Sequence, residues 1–307
     1  MTHSAAFDAI IPTANPISIA ALAPPSEAGS VPRLARFLTA ARRDCKLPAV
    51  AAHRLASVVQ FLDDTLEAHR FADYGPNGLQ VEACDEVARV VTGVSASQAL
   101  LDRAAELGAD LVVVHHGLLW GAAVPRVTGL VARRLRTLFA HEMSLAAYHL
   151  PLDRHPRLGN NAGLGDALGL PVERHAFGEV KGQAIGLYAD FATPLASSEL
   201  IARATLVRRG GVLPFVFAHG PAELRRVGIC TGAASDLLED AARAGCDAFV
   251  TGELAERAGE VARELGVTLI AAGHGDTEVF GPMRLAAALA EAFPGLVAEF
   301  VDVPTPL

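Results

Sequence analysis

The sequence predicts an α/β protein built as two similar, intertwined lobes, each a mostly parallel sheet flanked by helices, with a ligand cleft between them. Three observations carry this. Short apolar runs, such as Leu111–Val114 and Leu269–Ala272, have the length and composition of strands buried on both faces. Segments with apolar residues at helical spacing alternate with those runs. One strand–helix–strand unit occurs twice.

Taken in order, the elements are these. Leu55, Val58, Val59, Leu62 and Leu66 fall on one helical face, and the globular part is expected to begin just before them, from Pro48 onward. The segment Leu100–Asp110 matches Leu237–Asp247: Leu-Leu and an acid, then Ala-Ala, then Gly-x-Asp. Each copy follows a β-rich run, Val90–Val94 or Val227–Thr231, and is expected to stop at its glycine, Gly108 or Gly245. Each leads into another apolar run, Leu111–Val114 or Ala248–Thr251. The next unit also recurs. A helix near Leu130–His141 precedes the run Ser144–Tyr148 and then His149; a helix near Glu256–Leu265 precedes Val267–Ala272 and then His274. After each histidine, three residues intervene before a carboxylate, giving His149…Asp153 and His274…Glu278. The first copy is longer between its units, with the extra residues in the loop Gly117–Gly129. An amphipathic helix is expected at Ser198–Arg208 and a core strand at Phe215-Val216-Phe217. The expected division is a flexible, Pro-, Ala- and Ser-rich extension over residues 1–52, a first lobe over 53–178 and a second over 179–307.

Composition narrows the function. Hydrophobic residues are 51% of the chain, enough for a sizeable core, yet the longest apolar runs are far short of the roughly 20 residues of a membrane span. A net charge of -8, with only the short cluster Arg133, Arg134 and Arg136 to set against it, argues against a nucleic-acid partner. Cys45, Cys84, Cys230 and Cys246 form no Cys-x-x-Cys pair, which argues against a thiolate zinc site and suits a reduced, cytoplasmic protein. No positively charged segment precedes an apolar core at the start, so no secretory signal is expected.

Ligands of open parallel sheets bind beyond the carboxyl ends of the strands. His115, His116, Asp153, His274 and Glu278 are all expected there. Adjacent residues of an extended chain point to opposite sides, so His115-His116 suits two ions as readily as one; a pair of satisfied core or surface histidines is the plainer alternative. Gly273 and Gly275 let the backbone turn sharply about His274. If a helix starts near Asp276, Glu278 lies in its first turn, either bridging two cations or serving as part of a helix cap. Asp153 follows Pro151 and is not expected inside a helix; it is a ligand or the cap of the turn before His155-Pro156. Together they form a thiolate-free set of three imidazoles and two carboxylates, suited to two divalent ions of zinc, iron, manganese, cobalt or nickel. The set saturates two ions only if a carboxylate bridges, so open positions for water are expected, the mark of a catalytic site.

The sequence resembles the Nif-three-like family of dinuclear metal-centre proteins, the type-two homologues of GTP cyclohydrolase I, in its short bacterial form. The motifs that carry the resemblance run in order: Asp73-Tyr74-Gly75-Pro76-Asn77-Gly78-Leu79-Gln80-Val81, His115-His116-Gly117-Leu118-Leu119-Trp120, His149-Leu150-Pro151-Leu152-Asp153 with Leu158-Gly159-Asn160-Asn161, Thr251-Gly252-Glu253, and Gly273-His274-Gly275-Asp276-Thr277-Glu278. It covers the chain from about Leu55 onward. It implies metal binding by His115, His116, Asp153, His274 and Glu278, a toroidal homo-hexamer with metal sites on its inner cavity, and a place near the metals for His149, as ligand or proton carrier. The first 55 residues have no counterpart in it, and Gly275 stands where relatives carry a larger side chain.

The function this predicts is a metal-dependent hydrolase acting through a metal-bridging water on a small molecule such as a nucleotide or pterin, with His149 and Glu253 as candidate general acids or bases. Two alternatives stay open: a phosphoesterase acting on nucleotides, and a non-catalytic, ring-shaped metal-binding protein. Trp120, the only tryptophan, is expected at the substrate mouth or in an interface.

Overall fold

The structure is a computed structural model that describes residues 51–121 and 126–305. Of the expected extension, residues 1–50 lie outside the described residues, as does part of the loop Gly117–Gly129.

The chain opens with β1 (His53–Arg54) and α1 (Leu55–Thr65), whose buried Leu55, Val58, Val59 and Leu62 form the apolar face read from the sequence. β2 (Gly78–Val81), β3 (Glu86–Val87) and β4 (Arg89–Ser95) follow. α2 (Gln98–Leu107) is capped by the Ser97 hydroxyl, which accepts from Leu100 N–H, and stops at Gly108 in the left-handed conformation, φ 69°. β5 (Leu111–His116), α3 (Gly129–Ala140) and β6 (Ser144–Ala147) continue the alternation. With the C-terminal β13 (Val297–Phe300) they form a five-stranded sheet ordered β13-β4-β5-β6-β2, parallel except for β2. Leu111 and Val113 pack with Val58 and Leu62 of α1, while Val112 and Val114 pack with Leu100 and Leu101 of α2. Helices cover both faces, which is why β5 is apolar at four successive positions rather than at alternate ones.

Two short helices, α4 (Leu150–Arg154) and α5 (Asn160–Ala167), lead to the second sheet. This sheet draws on β7 (His175–Val180), β8 (Gln183–Ala196), β9 (Phe215–Ala218), β10 (Glu223–Cys230), β11 (Ala248–Thr251) and β12 (Thr268–Ala271). Around it lie α6 (Ser197–Val207), α7 (Leu238–Arg243) and α8 (Ala258–Leu265). Its order is β7-β8-β10-β11-β12-β9. The run β10-β11-β12 is parallel, as expected, but the pairings outside it are antiparallel. Lys181 and Gly182, at φ 52° and 80°, join β7 to β8 in a two-residue turn, the geometry that makes a hairpin. β9 sits at the sheet edge with Phe215 70% exposed, so the expected core strand is an edge strand. From β12 the chain passes through α9 (His274–Thr277) and α10 (Phe280–Ala292) to β13, which pairs with β4 of the first sheet.

The matched segments of the two sheets use one device. Asp110 Oδ2 accepts from Ala88 and Arg89 N–H (2.8 Å each), and Asp247 Oδ2 accepts from Arg225 and Arg226 N–H (2.6 and 3.0 Å). Asp110 thus holds the start of β4, and Asp247 holds β10 just ahead of Val227, where its pairing with β11 begins. Among the described residues, no helix is long and apolar enough to cross a membrane.

Leu111→Ala is expected to lower the unfolding free energy by about 3 kcal/mol through the cavity it leaves, whereas the exposed edge residue Phe215→Ala should change it by about 0.5 kcal/mol or less. Urea titrations of both variants check the pair; equal losses would contradict this layering.

Candidate metal centre

His115 and His116 are the last two residues of β5. Asp153 lies in α4, contrary to the expectation that Pro151 keeps this segment out of a helix. Pro151 occupies the first turn, where a backbone N–H has no intrahelical partner to lose. His274 opens α9, and Glu278 is the residue that ends it, just ahead of α10, rather than part of the first turn of a helix begun at Asp276.

The five side chains converge on two adjoining triads. In one, His115 Nε2 stands 3.5 Å from Asp153 Oδ1 and 3.4 Å from Glu278 Oε1. In the other, His116 Nε2 and His274 Nε2 stand 3.3 and 3.2 Å from Glu278 Oε2. The donor atoms of each triad lie within 4.8 Å of one another, and Glu278 gives one oxygen to each. His149 adds a further nitrogen beside His115 and His116. The donors face one another without bonding: His115 Nε2 and Glu278 Oε2 are buried and have no hydrogen-bond partner. Leaving such atoms unsatisfied costs about 1–3 kcal/mol each, and a cation between them would relieve it. The donor set therefore fits metal ions.

Every imidazole is anchored through its other nitrogen. Nδ1 of His115 meets the Tyr148 carbonyl (3.0 Å), that of His116 meets Ser95 Oγ (2.9 Å), that of His274 meets Glu253 Oε2 (2.8 Å) and that of His149 meets Asp73 Oδ1 (2.7 Å). A carbonyl or carboxylate can only accept, so Nδ1 donates in His115, His274 and His149 and Nε2 is left facing the centre, the nitrogen that would bind a cation once its proton is displaced. Asp153 Oδ1 accepts from Asn160 Nδ2 (2.9 Å) and Thr231 Oγ1 (3.1 Å). The turn bearing His274 and Glu278 is held by Asp276, which meets Arg208 Nη1 at 3.2 Å and Arg209 Nε at 2.5 Å. At Gly273, φ 90°, a Cβ would fall 2.0 Å from Arg208 Nη1, so this turn admits only glycine.

Charge in the ion-free centre is balanced by protons. Burial alone would raise the Glu278 carboxyl, but His115 and His116 hold it well below the usual carboxylate range. Burial opposes a charge on His115 and His274 too; Asp153 and Glu278 lift the first to about 9, and Glu278 and Glu253 lift the second to about 9. Burial, with positive neighbours His115 and His274, pushes His116 down to about 3. Burial and the nearby Glu278 push Asp153 up.

The spacing of the sequence marked the converging side chains but not the groups that hold them. Asp73 lies within a quoted motif without a role attached; buried, it also accepts from Asn77 Nδ2 and Leu150 N–H. Ser95 and Thr231 carried no signal. Asn160 and Asn161, the first residues of α5, tie Asp153, Gly281, Ile185 and Thr231 together. Glu253, a candidate acid or base, orients His274. A cavity of about 500 Å³ opens beside the triads, with His116, Trp120, Glu253, His274 and Gly275 on its wall. The Trp120 ring lies 5.1 Å from that of His149.

Comparison with known proteins shows the family and the fold. The profile of the Duf34/NIF3 (NGG1p interacting factor 3) family matches residues 53–306. A Yersinia pestis protein called GTP cyclohydrolase 1 type 2 homolog is 43% identical over 245 residues, 80% of this chain and 96% of that one. Among solved structures, the protein ybgI, of unknown function, superposes with TM-score 0.75 at 39% identity, covering 83% of this chain and 100% of that one. TTHA1606 from Thermus thermophilus does so with TM-score 0.73 at 36% identity and the same coverage. The chain belongs to the Duf34/NIF3 family.

Because His115 and His274 keep their protons up to about pH 9 in the ion-free chain, an ion must displace them. Zinc affinity should therefore be lower at pH 6 than at pH 7 and rise further towards pH 9, with roughly one proton released per ion at neutral pH. Calorimetry in two buffers of different ionisation enthalpy measures the release; uptake indifferent to pH would contradict the charge balance. Glu253→Gln, which loosens His274, should weaken zinc binding about tenfold in a chelator competition.

Proposed function

We propose that this member of the Duf34/NIF3 family is a metal-dependent hydrolase that holds two divalent ions, one at His115, Asp153 and Glu278 and the other at His116, His274 and Glu278. The observation that carries this reading is the Glu278 carboxylate, whose two oxygens face separate triads. Nitrogen and oxygen donors without thiolate suit zinc, iron, manganese, cobalt or nickel. Three side chains per triad leave coordination open, as in catalytic rather than structural sites. Ions so held supply Lewis acidity and activate water for hydrolysis.

The chain's own residues do the rest. Asp73 fixes the His149 ring with Nε2 towards His115 and His116, where it can take or give a proton at the reacting centre. Glu253 holds His274 and lines the cavity, so its carboxylate steers a ligand and a substrate at once. The relatives' name, GTP cyclohydrolase 1 type 2 homolog, points to the same reaction class, hydrolysis. Nucleotides, pterins and phosphoesters are the first substrates to test. We also propose that copies form the ring expected from the resemblance; the exposed Leu206, Leu213 and Phe215 are in keeping with a surface covered by a second copy.

Metal analysis of the purified chain should find about two ions per chain, and His116→Ala about one, with hydrolysis lost. Asp73→Asn should keep the metal content and lower kcat about 10- to 100-fold. Full metal content with no turnover on any of the three substrate classes would replace the hydrolase by the non-catalytic metal-binding reading. Activity that survives His116→Ala would belong to another protein. Light scattering tests the ring.

A further inference from the structure

We infer that the cavity beside the triads receives a compact substrate with an apolar body and at most one anionic group, and that it does not receive a nucleoside triphosphate. The inference rests on the proposal that the triads are the reactive end of this cavity.

The cavity is about 500 Å³, within the ordinary range for a small-molecule site. Its end towards the centre is polar, with His116, His274 and Glu253. The rest of the wall is mainly apolar, with Val94, Leu100, Val301 and Val303, and adds the neutral hydroxyls of Ser95, Ser97 and Thr305. Trp120, 41% exposed, offers a flat face at the rim. One guanidinium, Arg209, reaches the wall, and it is already committed: its Nε bonds Asp276 at 2.5 Å and its Nη1 bonds Asp302. Two carboxylates thus offset its charge, and Glu253 adds a negative group that is 49% exposed. Even with ions in the triads to meet one anionic group, a chain of phosphates would run on past Glu253 and the valines, and among the described residues the wall carries no cation besides the committed Arg209. Charge desolvated without a partner is strongly unfavourable, and such unanswered charges are how a site rejects a competitor. The chain does have a cationic cavity, lined by Arg154, Arg157, Arg174 and Arg284 around the single acid Asp166, but its lining shares no residue with the cavity at the triads.

Trp120 is the only tryptophan of the chain and lies at the rim of this cavity, so a probe bound there is the acceptor nearest to the sole donor, and Val303→Glu assigns the transfer to the cavity. Anilinonaphthalene sulfonate, an apolar aromatic body with one sulfonate, is the probe, titrated into the zinc-loaded full chain with excitation of Trp120. The expected result is saturable energy transfer to one probe per chain, loss of affinity of about tenfold or more in Val303→Glu, and no displacement by millimolar GTP. Displacement of the probe by submillimolar GTP, absence of saturable transfer, or unchanged affinity in Val303→Glu would each overturn the inference. Far-UV dichroism and the thermal midpoint of Val303→Glu verify its fold, and the GTP displacement uses the unaltered chain. Probe binding needs no turnover, so its outcome is independent of the metal and activity measurements on His116→Ala.

Discussion

A carboxylate that is buried and shared between two sets of imidazoles dominates this molecule. Glu278 is 2% exposed, yet it is ionised and has His115, His116 and His274 around it rather than lysine or arginine. Imidazoles can neutralise it with protons or share it with cations, and these are the two states available to the centre. Either way, the surrounding backbone must hold three elements in fixed relation, because a displaced partner would leave charge buried and unanswered.

The two sheets meet this demand from different directions. β5 of the first sheet ends at His115 and His116, α4 presents Asp153 after β6, and the turn after β12 of the second sheet presents His274 and Glu278. The return of the chain through α10 to β13, beside β4, ties the second sheet's last turn to the first sheet. Leu285 and Leu289 of α10 pack in the same core as Leu111 and Val113 of β5. A change in the packing of α10 would therefore be felt at Glu278, two residues ahead of it.

Around the converging donors lies a shell whose function is orientation. Tyr148, Ser95, Glu253 and Asp73 each hold one Nδ1; Asn160 and Thr231 hold Asp153; Arg208 and Arg209 hold Asp276 and with it the His274 turn. Arg209 has two roles, because the bonds that stiffen the turn also remove its charge from the cavity wall. Rigidity of the ligands and discrimination against polyanions thus come from the same residues.

Much was legible before the fold was known. The apolar runs at Leu111 and Ala248, the stop at Gly108 and the matched histidine–carboxylate spacings follow from local rules: side-chain periodicity, glycine's freedom at positive φ and strand-end placement. These rules picked out the side chains that meet at the centre, because His115 and His116 end a strand and Asp153, His274 and Glu278 lie in the short segments that follow strands, positions set by their own neighbours in sequence. What only the tertiary structure decided is which atoms face one another. That Glu278 divides its two oxygens between triads, that Asp73 is the partner of His149, and that Phe215 lies at an edge all depend on contacts between residues far apart in the chain. Periodicity carries no record of such distances; they are fixed only when the two sheets pack and the backbone between them has closed.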